Sequence, residues 1–368
     1  MSIFYDDKIL DQVSFDSETS TFLLANDDIS DSFSVSYVSK KEKEEFDLDQ
    51  YDLFILENKS LNAENDIFMA RDISLEKGIG WIFPLSTLES NDNDYAEKKF
   101  FNQFRFLAYQ KLLSSSFFLE KVIIEKKQSF LLSDLFDGDL IIFVVSHEAL
   151  GSPMDINDYL PSLASHGYFL KNEHALNYKC PNDIIINWYR GKKKVNLIKG
   201  SNPVYQTNYS KKLYTNYLKT LDHHLIRFHL IYQIIENHIT DLFYSEFERI
   251  LDEYKNNLVT KNNFIDAINK ARNESENIRK VLKELNPHDG TFDKSILVGL
   301  KRDCREFLDQ YRVEEKSDLG DLIYGIRNIL VHNYREVTDD QVNLLNEITF
   351  GFEIMINHLM IKSPYQNL

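Results

Sequence analysis

Cysteine is nearly absent. Cys180 and Cys304 are the only two in 368 residues, and neither belongs to a CxxC pair or has a histidine beside it. A disulfide framework and a structural zinc site are therefore not expected, and both thiols read as ordinary buried side chains. Long apolar runs are also missing: no stretch of about 18 apolar residues occurs, as a membrane-spanning helix would need. The first residues, Met1-Ser-Ile-Phe-Tyr-Asp-Asp-Lys8, lack the basic region and apolar core of a signal peptide. The expected location is cytoplasmic, with no membrane partner. Glycine is sparse, and Gly78-Ile79-Gly80 has neither a third glycine nor a Walker lysine after it. Asp137-Gly138-Asp139 reads as a turn. No nucleotide-binding loop is implied, and no cofactor is expected.

Positive charge is the other shortage. Lys and Arg number 42 against 58 Asp and Glu, a net charge of −16. Nonspecific nucleic-acid affinity comes mostly from neutralising phosphates, so a protein that coats nucleic acid is excluded. The acidity is concentrated, however. Residues 1–67 carry 17 acidic and 5 basic side chains, whereas residues 205–368 carry 25 and 21. A local cationic site in the second half remains compatible with the balance.

What is present suits a folded protein of two domains: 43% apolar and 13% aromatic residues, and enough chain for two cores. The first two hundred residues are strand-rich. Tyr51 to Leu56, Phe117 to Ile124, Leu140 to Val145 and Ile184 to Tyr189 are short β-branched and aromatic runs bounded by Asp, Asn, Gly and Ser. Tyr95 to Leu113 has helical spacing. Trp188 to Val195 suits a hairpin turning at Gly191, its lysines a solvated turn or an RNA contact. The first 50 residues, with Asp, Glu, Ser and Lys runs, are expected to be partly flexible.

Gly200-Ser201-Asn202-Pro203 interrupts the pattern, and beyond it the period becomes helical. Leu225, Phe228, Ile231, Tyr232, Ile235, Ile239 and Leu242 step by three and four along one helix of about 40 residues ending near Tyr254. Further helices are predicted over 261–285, 293–312, from Ser317-Asp318 onward, and after Thr338-Asp-Asp-Gln341, which resembles a capping box. In the last, Leu345, Ile348, Phe352, Met355 and Leu359 form a heptad-like seam, apolar surface for the intrachain core or for pairing with a second copy. The expected architecture is α+β in two domains. Residues 1–204 are expected to form a mixed α/β domain and residues 205–368 an all-α helical bundle.

Chemistry is concentrated in Gly325-Ile326-Arg327-Asn328-Ile329-Leu330-Val331-His332-Asn333-Tyr334. Residues four apart share a helix face, which aligns Asn328 with His332 and leaves Arg327 at its edge. A fixed cation can hold a phosphate and an imidazole can move a proton. These are the parts of a metal-free ribonuclease: His332 as base toward a ribose 2'-hydroxyl, Arg327 on the phosphate, and Asn328 holding the imidazole or the phosphate. Tyr334 serves packing or RNA contact. The bland alternatives are a core histidine for His332, a surface ion pair with Asp321 for Arg327, and a solvated amide for Asn328.

RNILVHNY resembles the Arg-polar-x3-His signature of the HEPN superfamily, helical domains found in many toxin and antiviral ribonucleases. Within it, residues 211–361 are similar to the Apea-like group linked to abortive infection. Arg227-Phe-His-Leu-Ile-Tyr-Gln-Ile-Ile-Glu236 is similar to that group's aromatic-rich first long helix, and it suggests Glu236 as a partner for Arg327. The resemblance implies a metal-independent endoribonuclease that acts as a homodimer on RNA, with tRNA among the candidate substrates. It implies defence against phage, with residues 1–204 as a sensor or regulatory domain on which a phage-derived trigger acts. The alternative is a catalytically inactive HEPN-like nucleotide-, RNA- or protein-binding and dimerisation module. One further group, His223, His224, His229 and His238, has no carboxylate or cysteine at a ligand spacing and reads as a solvated helix face rather than a metal site.

Overall fold

In the computed structural model the described residues are 2–5, 8–10, 12–27, 33–38, 47–58, 66–114, 121–123, 129–172, 193–200, 203–283, 294–311, 318–333, 335 and 337–361. The chain divides into two compact units, Met1–Lys199 and Gly200–Leu368. The first is mixed and strand-rich and the second helical.

The strands of the first unit are β1 (Ser2–Tyr5), β2 (Lys8–Ile9), β3 (Gln12–Asp16), β4 (Thr21–Ala25), β5 (Phe33–Ser36), β6 (Tyr51–Glu57), β7 (Phe68–Asp72), β8 (Lys77–Pro84), β9 (Lys121–Ile123), β10 (Ser129–Phe130), β11 (Ile141–Ser146), β12 (Phe169–Leu170) and β13 (Lys194–Leu197). They form three sheets: β2-β1-β9, β10-β5-β4-β3 and the six-stranded β12-β6-β11-β8-β7-β13. Strand β11 lies inside the largest sheet, antiparallel to both β6 and β8. Its residues Ile141 to Val145 are all buried, which is why that run is apolar without alternation. Gly80 pairs with Val145 across this sheet, and a Cβ there would stand 1.9 Å from the Val144 carbonyl oxygen. The Gly-Ile-Gly segment therefore serves close strand packing.

Helix α1 (Lys99–Ser114) fills the core beside these sheets with Phe101, Phe104, Phe106, Tyr109 and Leu112. Tyr109 stacks on Phe22 at 4.8 Å, and Trp81 meets Phe101 at 4.9 Å. Arg105 is fully buried in the same helix and donates to Asn91 Oδ1, Asn102 Oδ1 and the Ser90 carbonyl. Among the described residues of the first 50, β1 to β5 form strands, and on β4 and β5 apolar and polar positions alternate, with Phe22, Leu24, Phe33 and Val35 buried. The predicted strand Ile184 to Tyr189 and the turn at Gly191 lie outside the described residues, as does Cys180.

The second unit contains α2 (His224–Lys255), α3 (Lys261–Ala271), α4 (Glu274–Lys283), α5 (Lys294–Asp309), α6 (Leu319–His332) and α7 (Asp339–Ile361), preceded by short helical turns over 203–220. Helix α2 buries Phe228, Ile231, Tyr232, Ile234 and Ile235, and it packs on α7 through Phe228 and Phe352 at 5.1 Å. Leu345, Ile348, Phe352, Met355 and Leu359 are all buried within the chain. The heptad-like seam is thus spent on the intrachain core, because the other helices already cover it, and a second copy cannot use it.

Two predicted helices are broken. The helix ending at Thr220 stops before α2 because the Arg227 guanidinium takes the Leu218 and Leu221 carbonyls. The predicted 261–285 helix divides at Arg272 and Asn273, where Asn273 Oδ1 accepts from the Glu276 amide and Asn277 donates to the Ala271 carbonyl. At Thr338, Gln341 Oε1 accepts from the backbone N–H at 2.8 Å, one half of the expected box. Among the described residues no helix is long and apolar enough to cross a membrane.

Arg227 is 1% exposed, and its Nε and Nη2 donate to the two carboxylate oxygens of Glu353 on α7, at 2.6 and 2.8 Å. Leaving one partner of such a pair buried alone typically costs about 3–5 kcal/mol, whereas an apolar pair of similar volume is tolerated. Glu353→Leu is expected to lower the unfolding free energy by about that amount, and Arg227→Met with Glu353→Leu by much less. Urea unfolding followed by circular dichroism measures both.

Candidate functional site

The arginine of the Arg-Asn-His motif sits where three helices meet. Asp318 caps the start of α6, accepting from the Gly320 amide at 2.9 Å. Asp321 in the first turn ties α6 to α4. Arg279 Nε and Nη2 donate to its two oxygens at 3.0 and 2.5 Å, and Ser275 adds a third bond at 2.6 Å. Gly320 permits this approach, since a Cβ there would come within 3.2 Å of the Arg279 backbone nitrogen. Asp321 is therefore a partner of Arg279 and Ser275.

Arg327 turns toward α2 instead. Its Nη2 lies 3.6 Å from Glu236 Oε1, its guanidinium carbon lies 5.8 Å from the centre of the Tyr232 ring, and Nη1 donates to Asn328 Oδ1 at 3.2 Å. The Tyr232 hydroxyl donates to Glu274 Oε1 on α4 at 3.0 Å, which fixes the ring beneath the guanidinium. Burial, with the Glu274 carboxylate beside it, pushes the Tyr232 phenol up, so it stays protonated and keeps donating. Tyr209 stands nearby: its hydroxyl donates to the Leu230 carbonyl at 2.7 Å, and burial raises its pKa too. The Arg327 side chain is 26% exposed and Glu236 is 43% exposed. The cation is thus oriented from below yet open to solvent above, as a site for a phosphate requires.

His332 does not join this group within one chain. It is exposed at the end of α6, and among the described residues its ring forms no hydrogen bond or ion pair. Helix geometry explains the separation. Five residues turn about 140° and rise about 7.5 Å, so Arg327 faces α2 while His332 points to solvent. The structure therefore brings together Arg327, Asn328 and Glu236 and leaves His332 apart. Tyr334 lies outside the described residues. Tyr232, Glu274 and Tyr209 were not singled out from sequence. Tyr232 was legible only as core, and Glu274 joins it through packing far along the chain.

The histidines of α2 divide by helix face. His223 and His224 stack at 4.9 Å at its start, and His229 is half-buried. His238 is buried, contrary to the solvated face expected, because it continues the apolar stripe of Ile231 and Ile235. Among the described residues no three His, Cys, Asp or Glu side chains are grouped to hold a metal ion. Cys304 is buried, and burial pushes its thiol up. No family model, curated protein or solved structure matches the chain.

Burial holds the His238 imidazole down at about 4, below its ordinary value of 6.5. The unfolded chain therefore takes up a proton that the folded one refuses. Stability from this residue is complete above about pH 6.5 and falls toward about pH 4, at up to roughly 1.4 kcal/mol per pH unit. His238→Gln is expected to remove one proton from the slope, read as urea midpoints across that range.

Proposed function

We propose that this protein is a metal-independent endoribonuclease, with the helical unit cutting RNA by attack of a ribose 2'-hydroxyl on the adjacent phosphorus. The observation that supports this most directly is the Arg327 guanidinium, oriented by Glu236, Tyr232 and Asn328 and open on one side. A guanidinium so fixed can grip the phosphate whose charge grows in the transition state, and it need not reorganise to do so. Proton transfer comes from His332, as the resemblance to HEPN ribonucleases suggests. The products are a 2',3'-cyclic phosphate and a 5'-hydroxyl. The substrate is RNA, with tRNA a candidate.

The separation of Arg327 from His332 within one chain favours a homodimer, in which each cleft takes Arg327 from one copy and His332 from the other. Val331, 47% exposed beside His332, offers apolar surface where the two α6 ends would meet. The strand-rich unit, with its acidic first 67 residues, would restrain or license the nuclease, responding to a phage-derived trigger in an abortive-infection setting. The same separation also supports a second reading, an inactive module that binds a nucleotide, RNA or protein through Arg327.

His332→Ala is expected to lower RNA cleavage by about 10²- to 10⁴-fold with the fold intact, measured as cyclic-phosphate ends released from total RNA. Cleavage unchanged by this substitution would make His332 irrelevant to the chemistry. Arg327→Lys should be nearly as poor, since an ammonium lacks the planar fork. Mixing His332→Ala with Arg327→Ala chains should restore part of the activity, because a mixed dimer contains one intact cleft. A fully active monomer by light scattering would contradict the shared cleft.

A further inference from the structure

A second imidazole, His229, lies on α2, the helix that carries the Glu236 and Tyr232 partners of Arg327. His229, Tyr232 and Glu236 are separated by three and four residues and so form one stripe of that helix. Arg327 lies across this stripe, 3.6 Å from Glu236 and 5.8 Å from the Tyr232 ring centre. One turn earlier, His229 is half-buried, its ring meeting Phe228 edge-on at 6.1 Å.

We infer that His229 is the general base of the ribonuclease site, in the same half-cleft as Arg327, and that His332 of the opposing copy is the general acid. This rests on the ribonuclease reading above. In the step so assigned, His229 takes the 2'-hydroxyl proton and O2' forms its bond to phosphorus. The P–O5' bond breaks with its electron pair on O5', and the His332 imidazolium gives that oxygen its proton. Water then returns both rings to their starting protonation.

The surroundings of His229 suit a base. Burial lowers its pKa first, and the Arg327 charge lowers it further, so the ring is neutral at neutral pH. Of the charged groups on the elements around it, Arg327 on α6 is the one that acts on its titration, with Glu236 and Tyr232 farther along its own helix, Glu274 on α4 bonded to Tyr232, and Tyr209 ahead of α2 bonded to Leu230. Glu236 is drawn to Arg327 and Glu274 to the Tyr232 hydroxyl, so neither carboxylate is committed to holding a proton on His229. His332, exposed at the helix end, is placed to exchange protons with solvent between turnovers.

The test uses the full chain with bulk tRNA and total RNA, scoring cyclic-phosphate ends across pH. His229→Gln and His229→Asn are expected to stay folded and to lose about 10²-fold or more in kcat/KM. The acidic limb of the wild-type profile, lying below the ordinary imidazole range, should vanish from the residual rate. Added imidazole should partly rescue His229→Ala. In mixed dimers, His229→Gln should complement His332→Ala, which carries the other half of the cleft, and should fail to complement Arg327→Ala, which carries the same half. Variants that cleave within about threefold of wild type with an unshifted acidic limb overturn the assignment and leave the ribonuclease reading standing. If both variants unfold, the wild-type profile decides: a limb below the ordinary range supports His229, and its absence overturns the assignment. No cyclic-phosphate product from wild type on any RNA removes the ribonuclease reading and this assignment with it.

Discussion

The helical unit depends on one buried ion pair. Arg227, in the first turn of α2, has Glu353 of α7 on one side and the Leu218 and Leu221 carbonyls on the other. A guanidinium has five donors in a rigid plane, and here one charge satisfies both an opposing carboxylate and the last carbonyls of the preceding helical turn. The pair therefore stops one helix, starts the next, and sets α2 against α7. Removing two charges from water is expensive, and such pairs add little net stability over an apolar contact. What this one supplies is register: it fixes which turn of α2 faces which turn of α7.

That register carries through to the candidate site. With Phe228, Ile231 and Ile235 committed to the core, the helical period leaves His229, Tyr232 and Glu236 along the edge of the buried face. Helix α6 is tied to α4 through Asp321, with Arg279 and Ser275 as donors, and it packs on α5 as well. The Arg327 guanidinium then bridges the remaining gap by its length. A carboxylate, an aromatic face and an amide fix its direction. Each is a weak contact at a partly exposed position, and together they restrict a long side chain to one orientation.

The strand-rich unit follows a different logic. Its core is a cluster of aromatic rings around α1, with Phe22, Tyr37, Phe106 and Tyr109 in mutual contact. Rings bury much area with few rotatable bonds, which suits a unit of short strands.

The sequence by itself determined the helical period after Gly200, the capped start of α6 at Asp318, the apolar face of α7 and the strands at Tyr51 and Ile141. Each follows from spacing within a few residues, and local spacing is what a backbone period expresses. The sequence also marked Arg327, Asn328 and His332 as the chemical group, whereas the turn of Arg327 toward α2 and the exposure of His332 follow from how α6 packs. Tertiary structure decided the rest. The Asp321 carboxylate went to Arg279, Glu236 and Tyr232 met Arg327, His238 turned inward, and the heptad-like seam of α7 was consumed by its own chain. These outcomes depend on which helix faces are already covered by residues distant in sequence. The early strands were hidden for a related reason: Phe22 and Val35 become core only when α1, about seventy residues onward, packs over them.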